Sequence, residues 1–417
     1  MKRFIKFQII ILLNISLILL IISCSKESKK SGPLPADIAL QSAVGLQVGV
    51  AMANITPDNP TKVYLEGYAD LRQSTGIHDS ISARCLLIND GKTIVALVSL
   101  DLLGLFMVND ENMKNTIVNA TGLKNENIFI HSIHTHSGPE VLANFKFNDT
   151  YLTKLNRSVT NCVLEAFKTS RKAKALISRG NSQEKTINRR YPAKHITNKF
   201  TTVEFQDTAR NTIAMMLNFG CHPVVLGPDN TKISADYVYY VRKKAEAVKG
   251  GIALFFNSRF GDINPPPINT TYVYERTGGT FEMARQLGEQ LAQDMLDASL
   301  NCDTLSISIK TVTKTIAMQL KYTNQTHITI LDLGPVQIAM IPGEPLEGFA
   351  DNIENILPGP YPMLFGMIND EIEYIIPENE WNTCTNVHSG TCYEESESAG
   401  ISVAGILENG YKELLNQ

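Results

Sequence analysis

The sequence predicts a mixed α/β protein with one large domain, and three observations carry that expectation. Short apolar runs rich in β-branched residues recur along the chain, as buried strands do. Between them lie stretches with apolar residues every three to four positions, the period of a helix. No shift in composition marks a second domain after residue 37. Strands and helices that mix throughout specify α/β or α+β. At 417 residues and 43% hydrophobic, the chain is long enough to bury a core without covalent staples.

Taken in order, the N-terminus comes first. Met1-Lys2-Arg3 and Lys6 are basic, Ile9 to Ile22 is almost wholly apolar, and Ile21-Ile22-Ser23-Cys24 follows. That is the layout of a secretory signal peptide with a small residue before the cut. It resembles a bacterial lipoprotein signal, with residues 1–23 removed and Cys24 lipidated as the mature N-terminus. Ile21 stands where leucine is more usual, and an uncleaved anchor is the alternative. Either way the body leaves the cytoplasm, which implies a bacterial cell-envelope protein, periplasmic or outer-surface, held to the membrane through Cys24. Residues 24–36 are polar and carry Pro and Gly, as a flexible tether does. Residues 37–417 form the folded domain.

Within that domain Ala83–Ile88, Thr93–Leu100, Ile128–Ile133, Thr202–Phe205, Thr212–Phe219, Ile252–Phe256 and Ile328–Ile341 read as strands, the last with a turn at Gly334-Pro335. Tyr151–Ser170, Tyr237–Val248, Thr280–Leu300, Leu346–Asn355 and Ala404–Asn416 read as helices. No internal repeat is visible. No stretch after residue 25 approaches the roughly 20 apolar residues of a membrane span.

Bulk properties exclude some partners. A net charge of −4 gives no electrostatic case for nucleic acid. Six cysteines remain besides Cys24, and export permits disulfides. Cys384 and Cys392 bracket a short polar loop and are the best pair by proximity. Cys162 and Cys302 are compatible with pairing or with remaining free. Cys85 and Cys221 read as small buried apolar groups.

Chemically capable residues collect just after the strands, where ligand sites of open α/β sheets lie. His131, His134 and His136 end one strand, His222 another, Asp262 a third and Glu344 a fourth. These ends converge on one site if they face the same way. In IFIHSIHTHSGPE (residues 128–140), His134 and His136 are two apart and share a side of an extended chain. Imidazole suits Zn²⁺. A lone histidine is more often a hydrogen-bonded structural group, but a His-x-His ending a strand in a chain of eight histidines favours ligation. Glu344 sits on the Pro342-Gly343 turn, where a surface glutamate is the commoner reading. The loop Asn257–Pro267 follows a strand and can lay N–H groups along a substrate, or simply connect.

These pieces, HTHSGP (134–139), His222-Pro223, the Asn257–Pro265 loop, Pro342-Gly343-Glu344 and Tyr374-Ile375, resemble the neutral/alkaline non-lysosomal ceramidase family, and in its order. Leu65-Glu66-Gly67-Tyr68-Ala69 is similar to an early glycine-tyrosine motif, and Asn188-Arg189 to an Asn-Arg motif. The resemblance spans about residues 46 to 410. It implies the family's catalytic domain without its C-terminal immunoglobulin-like domain. It further implies one Zn²⁺ per chain held by His134, His222, Glu344 and Tyr374. His136 and Arg189 then contact substrate or the developing oxyanion, with Arg190 an alternative match for Arg189, and Gly67 and Tyr393 line the site. Asp262 belongs to the substrate-facing loop. Asp101 and Asp262 are expected either to orient ligand imidazoles or to be plain strand-end turn residues.

One departure stands out. Where the family's GDxSP motif carries serine, this chain has Asn264, which donates a hydrogen bond but is no nucleophile. The implied activity is zinc-dependent hydrolysis of a linear amide by metal-activated water, with an N-acyl sphingoid lipid or another acyl amide as substrate. An esterase or deacetylase on the same zinc, a non-catalytic binding lipoprotein, and a metal phosphoesterase are the competing readings. The last needs more bridging carboxylates than the motifs supply.

Overall fold

One topology occurs three times along the chain. In the computed structural model, which describes residues 33–68, 72–142, 149–183, 186–191, 193–194, 196, 198–266, 278–321, 323–383 and 392–417, a short helix α1 (Pro35–Ser42) comes first. Strands β1 (Gln47–Asn54), β2 (Ser82–Asn89) and β3 (Ile94–Leu100) then form an antiparallel meander. Helix α2 (Met107–Thr121) crosses to β4 (Ile128–Ser132), which pairs parallel to β3, and α3 (Asp149–Lys168) follows. The second round is β5 (Lys174–Asn181), β6 (Lys199–Gln206), β7 (Thr212–Phe219), α4 (Tyr237–Lys249), a parallel β8 (Ile252–Asn257) and α5 (Phe281–Ala298). The third is β9 (Lys310–Ala317), β10 (Gln325–Asp332), β11 (Val336–Met340), α6 (Glu347–Ile356) and a parallel β12 (Tyr361–Phe365). Helices α7 (Tyr393–Glu397) and α8 (Val403–Leu415) close the chain.

The three sheets share one core. Val48, Leu86 and Phe129 of the first meet Phe205, Met216 and Phe256 of the second and Ile338 and Phe365 of the third. Phe256 stacks on Phe365 with centroids 4.2 Å apart. The outer faces are covered by helices: α2 and α3 on the first sheet, α4 and α5 on the second, α6 and α8 on the third. Strands covered on both faces read as unbroken apolar runs, and every residue of β2, β3 and β7 is buried.

The seven expected strands and five expected helices all occur, with ends shifted by a few residues. The Ile328–Ile341 run divides into β10 and β11 at Gly334, whose φ is +80°. Helix α1 begins inside the stretch read as tether. The signal segment, Cys24, Ala69 and Cys384 lie outside the described residues. Cys392 is disulfide-bonded, whereas Cys85, Cys162, Cys221 and Cys302 are not in disulfides. Among the described residues no helix is long and apolar enough to cross a membrane.

Several elements lacked a sequence signal. The inward face of α2 includes Asp110 and Lys114 beside Met113, Ile117 and Thr121; the two charges pair at 3.0 Å and break the apolar period. Strand β12 contains Pro362, which edge strands tolerate, and it lies at the edge of its sheet. Strand β9 forms the other edge and buries only Ile316.

Candidate metal centre

The parallel pairs deliver the site. Just past β4, Ile133 N–H bonds Leu100 carbonyl at 2.9 Å and Thr135 N–H bonds that of Leu102 at 3.2 Å. The intervening His134 has φ +64°, a conformation that non-glycine residues take only where surroundings enforce it. Its Nδ1 donates to Leu103 carbonyl at 3.0 Å. Past β7, His222 Nδ1 donates to Phe260 carbonyl at 2.7 Å. Past β11, Glu344 is fixed beside Tyr374 by a short parallel bridge, Glu344–Pro345 on Tyr374–Ile375.

Tautomer follows from partner. With Nδ1 donating to a carbonyl, each neutral ring leaves a bare lone pair on Nε2. Burial favours the neutral form: His134 is pushed down to about 4, and His222 and His136 well below the usual range. Burial also raises Glu344, against the pull of His134 and Arg189. His134 Nε2 lies 3.5 Å and His222 Nε2 3.1 Å from the same oxygen, Glu344 Oε2. Neither His222 Nε2 nor Glu344 Oε2 has a hydrogen-bond partner among the described residues. Three electron-rich atoms thus face one another in a buried space, an arrangement that costs free energy unless a proton or a cation joins them. Ligands at about 2.0–2.1 Å around a tetrahedral zinc stand about 3.3–3.4 Å apart, which these separations match.

His136 sits against this group. Its ring centroid is 4.9 Å from that of His134 and 5.6 Å from that of His222, and neither ring nitrogen has a hydrogen-bond partner among the described residues. Gly67, with φ +107°, makes room: a Cβ there would fall 2.5 Å from His136 Cγ. Tyr68 packs edge-on at 4.9 Å. The expected substrate-lining glycine therefore lies directly against the expected oxyanion-contacting histidine.

Arg189 lies on the other side. Its Nε donates to Glu394 at 2.8 Å, Nη1 reaches Asn264 Oδ1 at 3.4 Å, and Cζ is 5.2 Å from the Tyr374 ring centroid. Tyr374 thus stands between Arg189, over its ring, and Glu344, its partner in the parallel bridge. Burial holds its phenol well above the usual range, opposed by Arg189. The exposed Tyr393 meets Tyr374 edge-on at 5.9 Å. Arg190 turns instead to Glu394 and Glu395, at 3.2 and 2.5 Å.

The aspartates do other work than orienting imidazoles. Asp101 accepts both guanidinium nitrogens of Arg242, at 2.6 and 2.9 Å, and the N–H and hydroxyl of Ser82. Asp262 accepts the N–H of Glu347 at the start of α6 at 2.9 Å and Asn188 Nδ2 at 2.6 Å. Backbone carbonyls of Leu103 and Phe260 hold the rings, and these have no residue-level signature. The sequence reading also missed Glu394, although it directly follows Tyr393, and Phe260, whose ring lies 5.2 and 5.1 Å from those of His134 and His222.

Comparison with known proteins bears on what this arrangement is. A sequence model described as neutral/alkaline non-lysosomal ceramidase, N-terminal, matches residues 46–272. The fold is similar to that of neutral ceramidase from Pseudomonas aeruginosa, with a TM-score of 0.79, 14% identity, and coverage of 89% of this chain and 74% of that one. A structure of a ceramidase complexed with C2 gives a TM-score of 0.78 at 14% identity, covering 89% and 75%. No curated protein matches the chain.

Proposed function

The chain belongs to the neutral/alkaline non-lysosomal ceramidase family, and from that premise we propose that it is a zinc-dependent hydrolase of a linear acyl amide. The observation that carries this reading is the convergence of His134 Nε2 and His222 Nε2 on the single oxygen Glu344 Oε2. His134, His222, Glu344 and Tyr374 would hold one zinc ion. When bound, zinc supplies a Lewis acid and lowers the pKa of water to about 7. The chain's own groups do the rest. The unpartnered His136 imidazole accepts or donates at the reacting carbonyl. Arg189, fixed by Glu394, keeps positive charge beside Tyr374 and favours an anionic oxygen there. Asn264, bonded to Arg189, positions without attacking. Tyr393, exposed beside Tyr374, contacts the acyl or amine portion.

An N-acyl sphingoid lipid is the first substrate to test, and an ester or acetylated sugar on the same zinc the second. We further propose export by residues 1–23 and membrane attachment through Cys24. The reading of a binding lipoprotein without turnover draws on Asn264 alone. A hydrolysis screen of zinc-loaded protein across N-acyl lipids and acetylated sugars, beside Asn264→Ser, separates these. Turnover by the parent, lost on chelation, supports the proposal. Turnover by Asn264→Ser only would show that this site needs a hydroxyl the natural chain lacks.

A further inference from the structure

A second carboxylate stands at the same cluster of ligand atoms. Glu371 is buried, and its Oε2 has no hydrogen-bond partner among the described residues. It offers an oxygen within 4.8 Å of ligand atoms of both His134 and Glu344. A Cβ added at Gly104 would come within 3.2 Å of Glu371 Oε2. That oxygen therefore lies beside the backbone neighbour of Leu103, whose carbonyl holds His134.

The carboxylate is rigidly presented. Asp370 Oδ1 accepts the N–H groups of Glu371 and Met107, each at 2.9 Å, and its Oδ2 accepts Thr326 Oγ1 at 2.7 Å. Glu371 Oε1 accepts Glu373 N–H at 2.6 Å. Ile372 N–H bonds Pro342 carbonyl and Glu344 N–H bonds Glu373 carbonyl, both at 2.9 Å, so Glu371 and Glu344 ride on one tied pair of turns. Leaving two carboxylates side by side in a buried space is unfavourable without a cation between them. Lys321 already pairs with Glu373 at 3.2 Å and Glu397 at 3.7 Å. Glu371 also borders a cavity of about 380 Å³ lined by Phe106, Lys321, Glu373 and Glu397 among others.

Resting on the zinc reading above, we propose that Glu371 is a further ligand of the ion, added in this chain to His134, His222, Glu344 and Tyr374. Counting the imidazoles and phenol as neutral, Glu344 brings one negative charge; Glu371 brings the second and balances a divalent cation. The added oxygen donor also makes the site harder than two imidazoles and one carboxylate would be.

The test is zinc affinity of the full chain, measured by competition with a chromophoric chelator, for the parent, Glu371→Gln and Glu373→Gln. Glu371→Gln is expected to bind zinc more than about 100-fold more weakly, beyond the loss typical of groups that only support a ligand, and Glu373→Gln to match the parent. Thermal unfolding of the metal-free forms shows whether Glu371→Gln has kept its fold. Equal affinity of a folded Glu371→Gln and the parent overturns the inference, while loss of zinc in His134→Ala leaves the zinc reading standing. A parent that binds no zinc overturns both. Should Glu371→Gln not fold, zinc-loaded crystals of the parent decide. A Glu371 oxygen at about 2.0–2.2 Å from the ion supports the assignment, and one turned away from it refutes it.

Discussion

At Gly67 the backbone passes so close to His136 that a methyl group has no room. The glycine's φ of +107° adds strain for any other residue. Gly67→Ala should therefore displace the imidazole while leaving the ligand atoms of His134, His222 and Glu344 in place. The expected outcome is unchanged zinc content with kcat lowered about 10–100-fold, the scale of loss from an ångström-sized misplacement. Metal analysis beside steady-state kinetics checks it; loss of zinc would mean that His136 is a ligand rather than a substrate contact. At this scale the sequence was most legible where a residue type is itself informative. HTHSGP, His222-Pro223 and Pro-Gly-Glu stood at strand ends and lie together in the structure. The supporting carbonyls of Leu103 and Phe260 were not legible, because any residue can supply a carbonyl. Glu371 was not, because a buried acid and a surface acid look alike in a one-dimensional string.

Between elements, the Asp101–Arg242 pair joins the end of β3 to α4 in a fully buried setting. Asp101→Asn leaves Arg242 charged and short of its partner. Breaking a buried pair in this way costs about 3–5 kcal/mol, so urea unfolding should show the midpoint falling at constant m-value. A change below about 1 kcal/mol would mean that solvent reaches the pair. The elements that the sequence disclosed are those whose apolar pattern is little interrupted, such as β3 and β7. Helix α2 was hidden because Asp110 and Lys114 occupy its inward face, and β12 because Pro362 sits in it. Each is held by its context: the buried Asp110 by its partner Lys114 one turn along the same helix, and β12 by pairing along one side with β11.

Over the whole molecule, three rounds of one topology bring the carboxyl ends of three parallel pairs together. The repetition escaped the sequence because corresponding strand ends carry different chemistry. His222 follows the third strand of the second round and Glu344 that of the third, while in the first round the same place supplies only the Leu103 carbonyl. The fold also buries carboxyls away from the site, which gives its stability a pH dependence. Burial raises Asp110 to about 7, with Lys114 opposing. A carboxyl raised in the folded state stabilises below its unfolded value of about 3.9 and loses that contribution as pH rises through about 7. Relative to Asp110→Asn, the parent should thus become progressively less stable from about pH 4 to 7 and level off above it, by on the order of 1–4 kcal/mol. Urea unfolding of both metal-free proteins across that range measures the difference; a gap independent of pH would contradict the assignment.

The central claim is that His134, His222 and Glu344 hold one metal ion that the amide-cleaving chemistry requires. Elemental analysis of zinc-equilibrated, desalted full-length protein tests it most directly, with His134→Ala, His222→Ala and Glu344→Gln run beside the parent. The parent should hold about one zinc per chain and each variant should lose most of it, all of them still folded by circular dichroism. Zinc retained at parental levels by any of the three folded variants would contradict the claim.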